Sequence, residues 1–310
     1  MERSIVVGLD GSAFAERALP FATAIAERSG AQIVLVRAAP EESVVEAHDY
    51  LRALVAPSRG LGGHGERPAV DTAAREGEPA AVLLDEGRRR GAGLLVLATH
   101  GRSGLGRWRY GSVADAVLRH ADRPLLLVPA TCDRAWPRER APRLLVTLDG
   151  SAFAEEALPP ARMMAQLVGG EVVLLRVVGP PDSAPGAPAA GEPLPGEADG
   201  AAAAEAYLAG IASSLRVGPR GVSTCVLAGP AAATIAAVAH DREADLIVMA
   251  THGRGGLARA VLGSVATGTL HRADRPLLLV RPAGLRRPVE EASGPAAGGA
   301  LRGPDETADR

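Results

Sequence analysis

The residues best placed to do chemistry stand in two glycine-rich loops of this 310-residue chain. One reads ATHGRSGLGRWRYGS from Ala98 to Ser112, and the other reads ATHGRGGLARAVLGS from Ala250 to Ser264. Each follows a short apolar run, LLVL or LIVM. Glycines at 101, 104, 106 and 111 allow positive φ and close backbone approach to an anion. Gly-Ser ahead of VADAVL reads as a helix start, where unpaired N–H groups and the positive end of the helix dipole suit phosphate. Arg102, Arg107 and Arg109 add charge to the first loop, Arg254 and Arg259 to the second. Two carboxylates, Asp10 and Asp149, end the apolar runs IVVGLD and LLVTLD.

Each piece also has a plainer reading. Ser112 with Asp115 spells a capping box, Ser-x-x-Asp, although the second copy has Thr267 in place of the aspartate. Asp10 can serve as a helix cap in DGSAF. His100 and His252 have no partners at metal-ligand spacing and read as hydrogen-bonded loop residues. Trp108 has no counterpart in the second copy, which has Ala260 at that position, and reads as packing. The loop arginines can form a solvated face. The repetition of loop and aspartate together weighs against these readings taken singly.

The elements that position these residues are themselves repeated. IVVGLDGSAFAERALP from Ile5 returns as LLVTLDGSAFAEEALP from Leu144, an offset of 139, and ADRPLLLV recurs verbatim at Ala121 and Ala273, an offset of 152. The difference of 13 residues is a net insertion in the second copy. It is placed in the Pro/Ala/Gly stretch 179–200, read as a flexible loop. The copies span 1–130 and 142–282, joined by a linker at 131–141, and the tail 283–310 reads as disordered. In the first copy strands are expected near 4–9, 31–37, 69–75, 94–99 and 124–128, and helices near 13–28, 42–56, 79–90 and 112–120. Continuous apolar runs alternating with helical patterns give an α/β fold: two tandem, doubly wound, five-stranded parallel sheets. Ligands of such sheets lie beyond the carboxyl ends of the strands, where the winding reverses.

Composition excludes several classes. The net charge of −2 gives no drive for polyanion binding, so no nucleic-acid partner is expected. All 34 basic residues are arginine, which removes a Walker lysine and Schiff-base chemistry. Two cysteines form no framework. No apolar run approaches membrane-spanning length and the first residues carry no signal-peptide pattern, so a cytoplasmic location with no membrane partner is expected.

Both copies resemble universal stress protein domains, over about residues 3–130 and 142–282. Nucleotide-binding members of that family carry Gly, two residues, Gly, nine residues, then Gly-Ser or Gly-Thr. Gly101 with Gly111-Ser112, and Gly253 with Gly263-Ser264, match the later part of the pattern. Ala98 and Ala250 replace its first glycine in both copies, and leave a backbone contact available. The resemblance implies an adenine-nucleotide α-hydrolase-like, Rossmann-like fold with strand order 3-2-1-4-5. It implies that Asp10 and Asp149 contact adenosine and that backbone near Ala38 and Val177 lines the base pocket. Phosphates would lie on Gly101, Arg102, Gly111, Ser112 and Val113, and on Gly253, Arg254, Gly263, Ser264 and Val265. ATP is the implied cofactor, with Mg2+ held mainly by the phosphates and no protein metal site.

The expected function is an ATP-binding regulator acting with an unidentified protein partner, and the resemblance implies that it serves stress or dormancy responses. No catalytic residue is assigned, because neither histidine is shown to be aimed at a γ-phosphate. Slow ATP hydrolysis or phosphoryl transfer, and a nucleotide-independent scaffold, are the rival classes. Each copy ends in RPLLLV, and family topology puts this strand at a sheet edge, where a bare apolar strand invites aggregation. Antiparallel pairing of the two edges within one chain removes that hazard and forms an internal pseudo-dimer. A homodimer of the whole chain is compatible with this arrangement.

Overall fold

The computed structural model describes residues 4–56, 68–99, 111–137, 139–179, 197–218, 220–252 and 262–285, with only the backbone described at 197–199 and 285. The first copy runs β1 (Ser4–Gly8), a 3-10 turn (Ala15–Ala18) leading into α1 (Leu19–Ser29), β2 (Gln32–Ala39), α2 (Val44–Val55), β3 (Val70–Glu76), α3 (Pro79–Arg89), β4 (Ala92–Thr99), α4 (Ser112–His120) and β5 (Leu125–Pro129). The second runs β6 (Arg143–Thr147), α5 (Ala152–Glu155), α6 (Leu158–Val168), β7 (Glu171–Val178), α7 (Glu197–Ser214), β8 (Val222–Ala228), α8 (Ala231–Asp241), β9 (Leu246–Ala250), α9 (Ser264–Arg272) and β10 (Leu277–Val280). Local chemistry sets the boundaries. A proline in the first turn opens α1 and α6, and glycines at φ 66° and 62° (Gly30 and Gly169) close them, a conformation that only glycine adopts freely.

The strands form one ten-stranded sheet in the order β3-β2-β1-β4-β5-β10-β9-β6-β7-β8. Each copy is internally parallel with the order 3-2-1-4-5, and β5 meets β10 antiparallel, pairing Leu126 with Leu278. Alternation along the strands divides the core between two faces. Ile5, Val7, Leu126, Leu278 and Val146 pack under α1, α2, α6 and α7, whereas Val6, Leu125, Leu279 and Leu145 pack under α3, α4, α8 and α9. Both clusters run through the seam without interruption.

The segment joining the copies is part of this packing. Cys132 and Trp136 are buried, Trp136 meets Phe21 edge to face at 6.4 Å, and Thr131 Oγ1 donates to the Ala273 carbonyl at 2.7 Å. Two further segments differ from expectation. Helix α7 begins at Glu197, inside the stretch read as loop, because the alanine run that follows has high helix propensity. The first residues of the tail form a 3-10 turn, Ala283–Leu285, anchored by the Ala283 N–H donating to Glu156 at 2.6 Å. The rest of the loop (180–196) and of the tail (286–310) lies outside the described residues. Among the described residues, no helix is long and apolar enough to cross a membrane.

Candidate functional site

The winding reverses between β1 and β4, which lie side by side with Val7 opposite Val96. Asp10 and Thr99 each stand three residues beyond that pair, so the aspartate turn and the glycine-rich loop leave neighbouring strands at the same level. The second copy repeats this, with Val146 opposite Val248 and with Asp149 and Thr251 three residues further on.

The Asp-Gly-Ser turn is built identically twice. Asp10 Oδ1 accepts from the Ser12 N–H at 2.8 Å and from its hydroxyl at 2.6 Å, while Ser12 Oγ accepts from the Ala15 N–H at 3.1 Å. For Asp149, Ser151 and Ala154 the distances are 2.9, 2.6 and 3.2 Å. The glycine between them sits at φ 92° in one copy and 84° in the other, so the turn requires glycine. In the second copy Ser151 is thus the cap of α5, in the first Ser12 Oγ meets the Ala15 N–H with Phe14 at the cap position, and in both the aspartate fixes the serine from outside. Asp10 is exposed and Asp149 is half-buried.

Gly111 is the residue at which α4 begins, at φ 90°, with Ser112 as the first helical residue and no side-chain cap. The capping box therefore does not form: Asp115 pairs with Arg119 at 2.7 Å instead. Gly263 opens α9 in the same way but at φ −61°, and its N–H donates to the Thr251 carbonyl at 2.7 Å. Val113 and Val265, just inside these helices, border the same apolar cluster as Ala38 and Val177 on β2 and β7. Ala98, next to last in β4, and Ala250, last in β9, lie against the opposite cluster. Gly101, Arg102, Gly253 and Arg254 lie outside the described residues, as do His100, Arg107, Trp108, Arg109 and Arg259. His252 is buried, with Nδ1 3.1 Å from Thr251 Oγ1. Among the described residues, no group of three or more His, Cys, Asp or Glu side chains could hold a metal ion.

The universal stress protein family model matches residues 1–129 and again 141–281. The chain belongs to that family. It is 30% identical over 301 residues to a universal stress protein of Mycolicibacterium smegmatis, covering 91% of this chain and 98% of the relative. Among solved structures, a universal stress protein of Pseudomonas aeruginosa superposes with a TM-score of 0.65 at 18% identity, covering 92% of this chain and 95% of the other. One from Archaeoglobus fulgidus gives 0.59 at 17% identity, covering 91% and 99%. These two support the tandem fold of the universal stress protein domains.

A second constellation beside the aspartate turn escaped the sequence reading. The Tyr50 hydroxyl meets Glu16 Oε1 at 3.0 Å, and the Arg37 guanidinium lies over the Tyr50 ring, 5.0 Å from its centroid. In the second copy Tyr207 meets Glu155 at 2.9 Å and Arg176 lies over its ring at 5.0 Å. Burial, then the hydrogen bond and charge of Glu16 or Glu155, push both phenols well above the usual tyrosine range, so they remain donors at neutral pH. A signal was available: Arg37 and Arg176 share the 139-residue offset, and the chain has only three tyrosines.

Proposed function

We propose that each repeat, 1–130 and 142–282, binds one ATP beyond the carboxyl ends of its first and fourth strands. On this reading the protein is a cytoplasmic, nucleotide-dependent regulator in stress or dormancy responses. The observation that carries it is the twofold occurrence of one arrangement: an aspartate turn level with the end of the neighbouring strand, whose loop leads to a helix begun by glycine. The fit to a nucleotide is good on two counts. Among the described residues, a Cβ on Gly111 would meet nothing within 4 Å. Among the described residues, no side chain caps either helix start, and a dipole end of this kind suits an anion.

In this assignment Asp10 and Asp149 contact adenosine, and backbone at Ala38 and Val177 lines the base pocket. Ala98 and Ala250 border the site where the loops leave their strands. Gly101, Arg102, Gly111, Ser112 and Val113 hold phosphate in one copy, and Gly253, Arg254, Gly263, Ser264 and Val265 do so in the other. Mg2+ would be carried mainly by the phosphates. The product of binding is a change of state read by a protein partner, with the paired copies, or a homodimer of the chain, as the responding body.

Mass analysis of the small molecule released when the gently purified protein is denatured tests this directly. An adenine nucleotide at up to two per chain is expected. No nucleotide, together with no heat on ATP titration, would overturn the reading and favour a scaffold. A Gly111→Val, Gly263→Val variant that keeps its helical signal should lose binding, because the added side chains block backbone approach.

A further inference from the structure

The arginine of the duplicated Arg-Tyr-Glu constellation is arranged to bind something. A Cβ on Gly11 would lie 3.0 Å from Cζ, Nη1 and Nη2 of Arg37, so the guanidinium lies flat against the turn that presents Asp10. Its other side rests on Tyr50, whose hydroxyl is tied to Glu16. Sandwiched in this way, the fork is fixed in orientation before any ligand arrives. Among the described residues, no oxygen accepts a hydrogen bond from the Arg37 or the Arg176 guanidinium. Both residues are half-buried and neither guanidinium has a nitrogen buried without a partner, so its donors are open to water or to a ligand.

Simple surface packing does not account for the repetition. The two arginines are 139 residues apart but the two tyrosines are 157 apart, and α2 and α7 have 12 and 18 residues. Connections that differ in length and sequence nevertheless return a tyrosine to the same place, at the same 5.0 Å and within 0.1 Å in its hydrogen bond.

We propose that Arg37 and Arg176 are specificity-determining residues that read the ribose diol of the bound nucleotide, each acting with the aspartate of the neighbouring turn. A vicinal diol both donates and accepts. The aspartate supplies the acceptor and the guanidinium the donor, and the nearby carboxylates of Asp10 and Glu16 make this a poor place for a further phosphate. This inference rests on the nucleotide reading given above. Tyr50 and Tyr207 are positioning residues that keep the fork in place.

The test is calorimetric titration of the full chain with ATP, 2′-deoxy-ATP and 3′-deoxy-ATP. The wild type should favour ATP over at least one deoxy analogue by about tenfold or more, the worth of one charge-assisted hydrogen bond. Arg37→Met with Arg176→Met should bind all three alike, at the level of the weaker analogue. Tyr50→Phe with Tyr207→Phe, which keeps the rings, should retain the preference, and Tyr50→Leu with Tyr207→Leu should lose much of it. Equal wild-type affinities, or an unchanged ratio in the arginine variant with its thermal midpoint intact, would overturn the inference and leave the nucleotide reading standing. A wild type that binds none of the three overturns both.

Discussion

The two copies present the same turn at the first strand and yet solve the flanking structure differently. In the first, Glu86 is buried under β3 and receives Arg75 at 2.5 Å and Arg90 at 3.4 Å, with Arg90 continuing to Asp71 at 2.6 Å. At the 152-residue offset, Leu227 and Val238 stand in the places of Arg75 and Glu86. One copy thus has an ion-pair network where the other has a buried valine and an exposed leucine. Buried ion pairs contribute little net stability over well-packed apolar residues, because desolvation offsets the attraction. Such positions are therefore free to drift, while the Asp-Gly-Ser turn and its arginine-tyrosine partner do not. A smaller difference follows the same rule. Arg123 reaches the carbonyls of both Gly87 and Ala92, at 2.5 and 2.8 Å. Ala239 stands where Gly87 would be, and Arg275 reaches only the Ala244 carbonyl across the same gap, leaving Nη2 buried without a partner among the described residues.

If the copies are equal halves of one sheet, the seam should be equally sensitive from either side. Leu126 and Leu278 face each other and are fully buried, so Leu126→Ala and Leu278→Ala should each cost about 2–5 kcal/mol in denaturant unfolding. Costs differing by more than about half would mean that one copy carries the seam. The ion-pair contrast comes next. Glu86→Val alone strands two arginines and should destabilise by roughly 1–2 kcal/mol, less than a fully buried pair because both arginines can turn to water. Adding Arg75→Leu, which installs the second copy's pair, should recover most of that loss. A double variant less stable than the single would refute the equivalence.

The helix starts differ in sign. Gly111→Ala forces a Cβ onto a backbone at φ 90° and should cost on the order of 1–3 kcal/mol. Gly263→Ala meets an ordinary φ of −61°, with the Thr251 carbonyl 3.2 Å away as the one tight contact, and should change stability by under about 1 kcal/mol in either direction. Equal costs would show that the two starts adopt one conformation in solution.

Much of this arrangement was legible in the sequence. Continuous apolar runs such as LLVL lie buried on both faces, and the verbatim ADRPLLLV repeat marks the strands that pair across the seam. What the chain order could not show was proximity across elements. Arg37 and Tyr50 are 13 residues apart and meet only because α2 folds back over β2. The segment 131–141 reads only as a linker, yet Trp136 is buried against Phe21, a contact that exists only once α1 and α6 pack together. The capping box failed for a local reason: a positive-φ glycine begins the helix, which leaves Ser112 inside it and Asp115 free to pair with Arg119.

The smallest expected effect concerns acid stability, where identical sequence meets different surroundings. Asp122 is held below the usual carboxylate range chiefly by hydrogen bonds from Arg123. For Asp274, burial pushes upward, but the His240 contact and the Arg275 charge outweigh it, and its carboxyl is also lowered. A carboxylate whose folded pKa is depressed contributes stability above its unfolded value of about 4, and that contribution is lost as pH falls through the folded value. Both residues are part-exposed, so solvent screening keeps the effect modest. Thermal unfolding of Asp122→Asn between pH 6 and pH 2.5 should therefore show a shallower acid limb than the wild type. Asp274→Asn should flatten it less, because burial already opposes the charged form there. An acid limb unchanged by Asp122→Asn would remove the first carboxylate from the account, and a larger change at Asp274 would reverse the ranking of the two copies.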